Sequence, residues 1–166
     1  MKLRKLEYDD IPLMLEWMRD EEINKNFAKD FSKYDEESQK KFIDNSMTDT
    51  DITFAIASED GEYLGSISLK NIDYENKKAE YAICLRAKCI GKNISKPATD
   101  LILKYAFDEL GLNRVYLNVL SENIRANKFY LKYGFIYEGE TKEDINVRGE
   151  LKDLKWYRVL KKEFKK

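Results

Sequence analysis

Two kinds of hydrophobic periodicity alternate along this chain, and their order limits the folds that it can adopt. In some segments apolar residues recur at every second position, as in β-strands, and in others at every third or fourth position, as in α-helices. The predicted order is one strand, two helices, three strands, a helix, a strand, a helix and two strands. Because no internal repeat or linker interrupts this order, we predict a mixed α/β fold in one domain, residues 1–166.

Seven segments are predicted to be strands, and turn residues separate several of them. They are residues 2–8, 52–57, 63–72, 79–85, 114–120, 135–147 and 151–161. Asp60-Gly61 favours the positive φ angles of a tight hairpin, while Asn76-Lys77 and Arg148-Gly149 mark two further turns. Within residues 79–85, side chains alternate between the two faces of the strand, which places Glu80 on the same face as the small residues Ala82 and Cys84.

Four segments are predicted to be helices, and capping residues mark where three of them begin and one ends. These residues are Asp10, Asp35, Asn123 and Gly134. The helix without such a cap covers about residues 92–110. The helix after Asp35 is expected to bury Phe42, Ile43 and Met47. The stretch between the first two helices, residues 20–34, is expected to be irregular.

The charge balance and the hydropathy of the chain limit its partners. Thirty Lys and Arg face 31 Asp and Glu, so the net charge is -1 and the excess of cations typical of nucleic-acid-binding proteins is missing. The first ten residues lack the apolar run of a signal peptide, and no stretch approaches the roughly 18 apolar residues of a spanning helix. We therefore expect a cytoplasmic protein without nucleic-acid or membrane partners.

The chain contains no histidine, which excludes the Ser-His and Cys-His nucleophile systems. Its two cysteines, Cys84 and Cys89, are expected to be small buried residues rather than a disulfide. Two thiolates with carboxylates alone are a poor ligand set for zinc, so no metal is expected.

A basic segment at the predicted start of the long helix has the features of a phosphate site. Free backbone N–H groups and the helix dipole attract anions at a helix N-terminus. Gly91 allows the backbone to approach a ligand closely, and four cations lie around it, namely Arg86, Lys88, Lys92 and Lys96. Taken alone, this pattern also fits an ordinary basic turn between a strand and a helix.

Two motifs resemble those of the Gcn5-related N-acetyltransferase (GNAT) superfamily. Residues 88–93, Lys-Cys-Ile-Gly-Lys-Asn, are similar to its pyrophosphate loop, which is commonly Gln or Arg, two residues, Gly, one residue, then Gly or Ala. Lys88 stands at the first position, and Asn93 replaces the last small residue. Residues 123–135, Asn-Ile-Arg-Ala-Asn-Lys-Phe-Tyr-Leu-Lys-Tyr-Gly-Phe, are similar to the family's pattern of Asn, Ala, Tyr and Gly-Phe at the same spacing.

The resemblance implies a single GNAT-like domain with a twisted, mixed but mostly antiparallel sheet of about seven strands and about four helices. Its fourth and fifth strands, here residues 80–85 and 115–120, would splay apart and hold acetyl-CoA as co-substrate, with the pantetheine arm in the gap. The residues implied to contact coenzyme A are Ile83, Cys84, Leu85, Lys88, Ile90, Gly91, Lys92, Asn93, Ile94, Ser95, Asn118, Asn123, Arg125 and Tyr130.

The chemistry that the resemblance implies is direct acetyl transfer, in which an uncharged amine attacks the thioester and the thiolate of coenzyme A leaves. Tyr130 occupies the family's usual position for the acid that protonates the sulfur. A buried tyrosine with one structural hydrogen bond is the alternative. Glu80 is the candidate base, both by strand parity and by resemblance to a family carboxylate. A solvated or salt-bridged glutamate, with water as the base, remains open.

The acceptor site is expected from residues 20–34, the first two helices and the hairpin near Arg148-Gly149. Residues 15–20 and 141–156 look like the branch that includes ribosomal-protein amino-terminal and amino-sugar-nucleotide acetyltransferases. We expect a primary amine of a small molecule, such as an amino-sugar nucleotide, on which Trp17 would stack unless it is buried. A protein amino terminus and a non-catalytic acyl-CoA sensor are the alternatives. A homodimer through the aromatic carboxyl-terminal strand is a further expectation.

Overall fold

Seven strands form one sheet in this protein. A computed structural model describes residues 1–164 of the chain. In chain order the strands are β1 (Lys2–Lys5), β2 (Ile52–Ala57), β3 (Tyr63–Asp73), β4 (Lys78–Leu85), β5 (Arg114–Leu120), β6 (Ile136–Val147) and β7 (Glu150–Leu160). The α-helices of the described residues are α1 (Ile11–Met18), α2 (Glu21–Asn24), α3 (Glu36–Asp44), α4 (Ser95–Lys104) and α5 (Ile124–Tyr133).

The strands are arranged in the order β1-β2-β3-β4-β5-β7-β6, and each neighbouring pair is antiparallel except β4 and β5. The parallel pairing of β4 with β5 ends at Glu80 and Tyr116. Beyond that point the two strands separate, and their facing edges border a gap. The predicted mixed, mostly antiparallel sheet with splayed fourth and fifth strands is therefore confirmed.

The carboxyl-terminal strand lies inside the sheet. β7 pairs with β6 on one side, and its residues 154–160 pair with β5 on the other. Pairing across a two-fold axis would have to use residues 150–153, which have no partner in β5, and the homodimer stays a prediction. The outer strands are β1 and β6, and irregular pairing after Tyr137 and after Thr141 interrupts β6.

Two large hydrophobic clusters and a small third one pack against the sheet, and the two large clusters meet at adjacent residues of β2. Ile56 belongs to the larger cluster, which includes apolar residues of α4 and of strands β3 to β5. Ala55 belongs to the second cluster, which is built mainly from α1. Trp17 of α1 is 4% exposed there, and its indole Nε1 donates to the Tyr63 hydroxyl at 3.1 Å. Burial of Trp17 removes it as a stacking surface for a nucleotide.

The last helix forms as predicted, whereas α3 differs in its buried side. The Asn123 side chain accepts the N–H of Ala126, and Gly134 ends α5 with a φ of 114°. α3 follows Asp35, but Phe42 and Met47 are exposed, and the residue that α3 buries is Gln39. Ile43 is half-buried against the cluster built from α1, so the predicted apolar stripe holds for Ile43 and is wrong for Phe42 and Met47.

Short helical turns account for the other differences from the predicted elements. Residues 20–34 contain α2 and a 3-10 turn at Phe31–Lys33, which makes five α-helices among the described residues rather than about four. β1 ends at Lys5 because a 3-10 turn follows at Tyr8–Asp10. The long helix begins at Ser95, later than predicted. No helix within residues 1–164 is long and apolar enough to cross a membrane.

Candidate active site

A cavity of about 580 Å³ fills the gap between β4 and β5. Its walls are these strands, the loop before α4, the start of α5 and a part of residues 23–31. The predicted coenzyme A contacts that line it are Ile83, Cys84, Leu85, Ile90, Gly91, Asn93, Ile94, Ser95, Asn118, Asn123, Arg125 and Tyr130. Lys88 and Lys92 lie outside the lining. Glu80 and Tyr130, the predicted base and acid, both face the same cavity.

The loop before α4 has the backbone conformation that its sequence suggests. Gly91 has a φ of 80° and Asn93 a φ of 56°, so both lie in the left-handed region. Asparagine adopts this region more readily than most residues, which explains how Asn93 stands where the GNAT motif has Gly or Ala. No side chain caps the first turn of α4 at Ile94. Its N–H groups therefore remain available to an anionic ligand at the positive end of the helix dipole.

A buried guanidinium anchors the start of this loop. Arg86 is 5% exposed and donates to both carboxylate oxygens of Glu16, at 2.9 and 3.0 Å, and to Glu62 at 2.8 Å. The hydrogen bond from Arg86 holds the pKa of Glu16 below its usual value. Lys88 also donates to Glu62. The prediction that Arg86 and Lys88 supply free positive charge beside Gly91 is therefore corrected, because two carboxylates already neutralise them.

Two other cations line the same end of the cavity. Lys96, in the first turn of α4, and Arg125, in the first turn of α5, both border it. Lys96 also forms an ion pair with Asp100 at 3.1 Å, one helical turn further along. The positive end of the cavity thus combines two helix N-termini with two cationic side chains, an arrangement that suits a diphosphate.

Tyr130 differs from the other deeply buried tyrosines. The hydroxyls of Tyr63, Tyr81 and Tyr157 hydrogen-bond to protein side chains. The Tyr130 side chain is 7% exposed, and its hydroxyl forms no hydrogen bond within residues 1–164. Burial raises the pKa of Tyr130 well above its usual value, so the hydroxyl keeps its proton at neutral pH. The geometry therefore presents a protonated phenol to the cavity.

Glu80 lies where the two strands begin to separate. It is the last residue of β4 that pairs with β5, opposite Tyr116. Its carboxylate accepts a hydrogen bond from Asn118 at 3.2 Å and one from Asn71 at 3.0 Å. Neither partner is charged, and no cation of the described residues forms an ion pair with Glu80. The carboxylate can therefore accept a proton without first breaking a salt bridge.

The cavity wall opposite β4 comes from the segment after α2. Phe27 and Phe31 line the cavity, and their ring centroids are 5.5 Å apart. Arg148, in the turn between β6 and β7, donates to the backbone carbonyls of Asn24 at 3.1 Å and Phe27 at 3.4 Å. The structure thus brings together residues 20–34 and the Arg148-Gly149 turn, two of the segments expected to form the acceptor site.

Two lysines of the lining were missed in the sequence. Lys29 lies in residues 20–34, which have no periodicity to indicate which side chains face inward. Lys70 pairs in register with Glu80 across the β3–β4 hairpin. Strand parity would have placed Lys70 beside Glu80, since directly paired residues point to the same face. Among residues 1–164, no three His, Cys, Asp or Glu side chains are grouped as a metal site.

Comparisons with known proteins agree with this architecture. The chain is 36% identical over 105 residues to "Putative ribosomal N-acetyltransferase YdaF" of Bacillus subtilis, which covers 63% of this chain and 57% of that protein. It is 28% identical over 111 residues to spermidine N(1)-acetyltransferase of Vibrio cholerae, an alignment that covers 67% of this chain and 64% of that protein. The alignments thus span less than two thirds of these relatives' own lengths.

A solved structure extends the likeness of fold to almost the whole chain. The crystal structure of spermidine N-acetyltransferase from Vibrio cholerae in complex with CoA and spermine superimposes with a TM-score of 0.88. It covers 98% of this chain and 96% of that chain at 23% sequence identity. In sequence, residues 1–136 match the acetyltransferase (GNAT) domain family. This protein therefore belongs to the GNAT acetyltransferase family.

Proposed function

We propose that this protein is an N-acetyltransferase that moves the acetyl group of acetyl-CoA directly to the primary amine of a small molecule. One observation carries the proposal: Glu80 and Tyr130 face a single cavity whose other end has the features of a diphosphate site. The carboxylate has only uncharged partners, and the phenol hydroxyl forms no hydrogen bond within residues 1–164. Both groups are therefore available for proton transfer.

Features at both ends of the cavity support coenzyme A as its ligand. Beyond Glu80, the edge of β4 that faces β5 has no strand partner, so the backbone of residues 83–85 can pair with the amides of a pantetheine arm as an added strand would. The N–H groups that begin α4, together with Lys96 and Arg125, would hold the pyrophosphate. Gly91 and Asn93 keep the intervening loop in the left-handed conformation that brings its backbone to the cavity.

The proposed roles follow from the protonation that each group favours. Acetyl-CoA supplies the acetyl group as a thioester, which an uncharged amine can attack. Glu80 takes the proton from the amine, either directly or through water. Tyr130, protonated because of its burial, gives its proton to the departing sulfur. Backbone N–H groups of β4 beyond Glu80, which have no partner in β5, would stabilise the forming oxyanion.

The relatives name two classes of acceptor. A spermidine acetyltransferase favours a small-molecule amine, which is the proposal made here, with an amino-sugar nucleotide as a further member of that class. A ribosomal N-acetyltransferase favours a protein amino terminus as the second candidate. We place the activity in the cytoplasm, and the free thiols of Cys84 and Cys89 support a reducing compartment.

The test is release of free thiol from acetyl-CoA in the presence of polyamines, amino-sugar nucleotides, amino acids or peptides with ribosomal-protein amino termini. Calorimetric titration with coenzyme A runs beside it. We expect release that depends on one acceptor class. Glu80→Gln should lower the rate of thiol release by about 100-fold, because it removes the proposed proton acceptor. Coenzyme A binding without release for any amine would instead support a sensor.

A further inference from the structure

The charges on the acceptor side of the cavity indicate which amine it takes. The cavity lining includes four cations and one carboxylate, Glu80. Lys96 and Arg125 lie in the first turns of α4 and α5, whereas Lys29 belongs to residues 20–34 and Lys70 to β3. Neither Lys29 nor Lys70 forms an ion pair with a carboxylate of residues 1–164. Two positive charges of the cavity lining therefore have no ion-pair partner among the described residues.

Lys70 is too far from the diphosphate end to serve the co-substrate there. It pairs in register with Glu80, whereas Leu85, where β4 meets the loop, pairs with Gly65. The five residue steps from Glu80 to Leu85 span about 17 Å of strand, so Lys70, which is paired with Glu80, lies about that far from the loop. It is instead the neighbour of the proposed base. Its ammonium is placed to meet a group on the acceptor.

Lys29 is held in position on the opposite wall. Its ammonium lies 4.8 Å from the ring centroid of Tyr34 and 5.7 Å from that of Phe31. Such cation–π contacts restrict a lysine without neutralising its charge. The backbone beside it is fixed as well, because Arg148 donates to the Phe27 carbonyl and Ala28 packs on the cluster of Leu120, Val147 and Leu154.

We infer that the acceptor is an amine that also carries an anionic group, a phosphate or a carboxylate, which Lys29 and Lys70 bind while Glu80 takes the amine proton. The inference rests on the proposed acetyltransferase function. A polycation such as spermidine would meet two ammonium groups and one carboxylate at this end, which disfavours it by like-charge repulsion. The observed charges thus separate this protein's acceptor from that of its spermidine-acetylating relatives.

The experiment compares four acceptors with wild-type protein: an amino-sugar nucleotide, an amino-sugar monophosphate, an amino acid and spermidine. We expect one of the first three to give the highest kcat/KM. A higher kcat/KM for the two phosphorylated sugars would identify the anionic group as a phosphate, and a higher kcat/KM for the amino acid would identify it as a carboxylate. Lys29→Gln and Lys70→Gln should each raise the acceptor KM about tenfold, the loss of one charge-assisted contact. The KM for acetyl-CoA should not change.

Two further variants make the test specific. Lys33→Gln is the matched control, because Lys33 is an exposed lysine of the same segment outside the cavity lining, and it should leave every constant unchanged. Lys70→Glu should lower the KM for spermidine, since it replaces repulsion with attraction. Preference of the wild type for spermidine, with lysine variants that leave its KM unaltered, would overturn the inference but not the acetyltransferase function. Only failure of every amine to release thiol contradicts that function.

Discussion

The tyrosines of the aromatic core differ in whether their hydroxyls hydrogen-bond to the protein. Tyr133 donates its hydroxyl to Asp100 at 2.6 Å, and Tyr157 donates to Asn127 at 2.6 Å, so both have structural roles. Tyr130, between them in the aromatic core, directs its hydroxyl to the cavity. Tyr130 is thus the buried tyrosine whose hydroxyl is available to a ligand in the cavity.

Tyr130→Phe should lower kcat by about 100-fold while the Kd for coenzyme A changes little, because the variant removes a proton donor and keeps the ring. Since burial raises the Tyr130 pKa, ionisation of this hydroxyl should not reduce the wild-type rate between pH 6 and about 9. Thiol-release assays measure kcat, and calorimetric titration measures the Kd for coenzyme A.

Tyr133→Phe is the control for that substitution. It removes the hydrogen bond to Asp100 and should lower the free energy of unfolding by about 1 kcal/mol without changing kcat. Equal turnover of Tyr130→Phe and wild type at saturating substrate would remove Tyr130 from the mechanism.

Asp30 organises the segment that carries Phe27 and Phe31. Hydrogen bonds from Ser32 and Asn24 lower the pKa of Asp30 from its usual value to about 2. A carboxylate with a lowered folded-state pKa stabilises the protein fully above its unfolded pKa of about 4, and this contribution is lost as the pH falls toward 2. Asp30→Asn should therefore be less stable than wild type at pH 6, and the difference should shrink between pH 4 and 2. Urea unfolding at a series of pH values measures it, and a constant difference would contradict the assignment.

At the scale of elements, the end of β4 is held from two sides. Arg86 joins it to Glu16 of α1 and to Glu62, which precedes β3. Gly65 of β3 allows close approach on the neighbouring strand, since a Cβ there would lie 2.2 Å from the Cys84 carbonyl oxygen. The position of the residues proposed to pair with pantetheine thus depends on a buried guanidinium with two half-exposed carboxylates, and on the absence of a side chain at Gly65.

Gly65→Ala should raise the KM for acetyl-CoA more than it lowers kcat, because the added methyl group forces the backbone at Cys84 toward the cavity. The matched control is Gly61→Ala in the preceding hairpin, where a Cβ meets nothing within 4 Å but φ is 91°. That variant should lose about 1 kcal/mol of unfolding free energy through backbone strain and keep the wild-type KM. Equal effects of both variants on the KM for acetyl-CoA would show that β4 does not depend on Gly65.

At the scale of the whole molecule, one sheet supports both large hydrophobic clusters. Ala55 and Ile56 are neighbours in β2 and contribute to different clusters, so unfolding of either cluster would expose the strand that both share. We therefore expect a single cooperative unfolding transition, with equal calorimetric and van't Hoff enthalpies. Coenzyme A at 100 times its Kd should add about 2.7 kcal/mol of stability. Two separate transitions in calorimetry would contradict the prediction of one domain.

Local features of the fold were predictable, because each depends on a few neighbouring residues. Asn123 and Gly134 bound α5 as predicted, through a side-chain cap and a left-handed residue. The strands β2 and β5 have the predicted bounds, Ile52–Ala57 and Arg114–Leu120. The stripe expected of α3 was wrong at Phe42 and Met47, because helical periodicity does not tell how deeply a helix packs on the sheet.

The sequence by itself determined the order of the elements, their caps and turns, and the two motifs that led to the splayed strands. These depend on backbone preferences and periodicity within about ten residues. Only the tertiary structure decided that Arg86 meets Glu16, 70 residues away, that β7 lies inside the sheet, and that Lys29 and Lys70 share a cavity with Glu80. The physical reason is that charges and strand edges find their partners through space, and the distance along the chain does not indicate which partner that is.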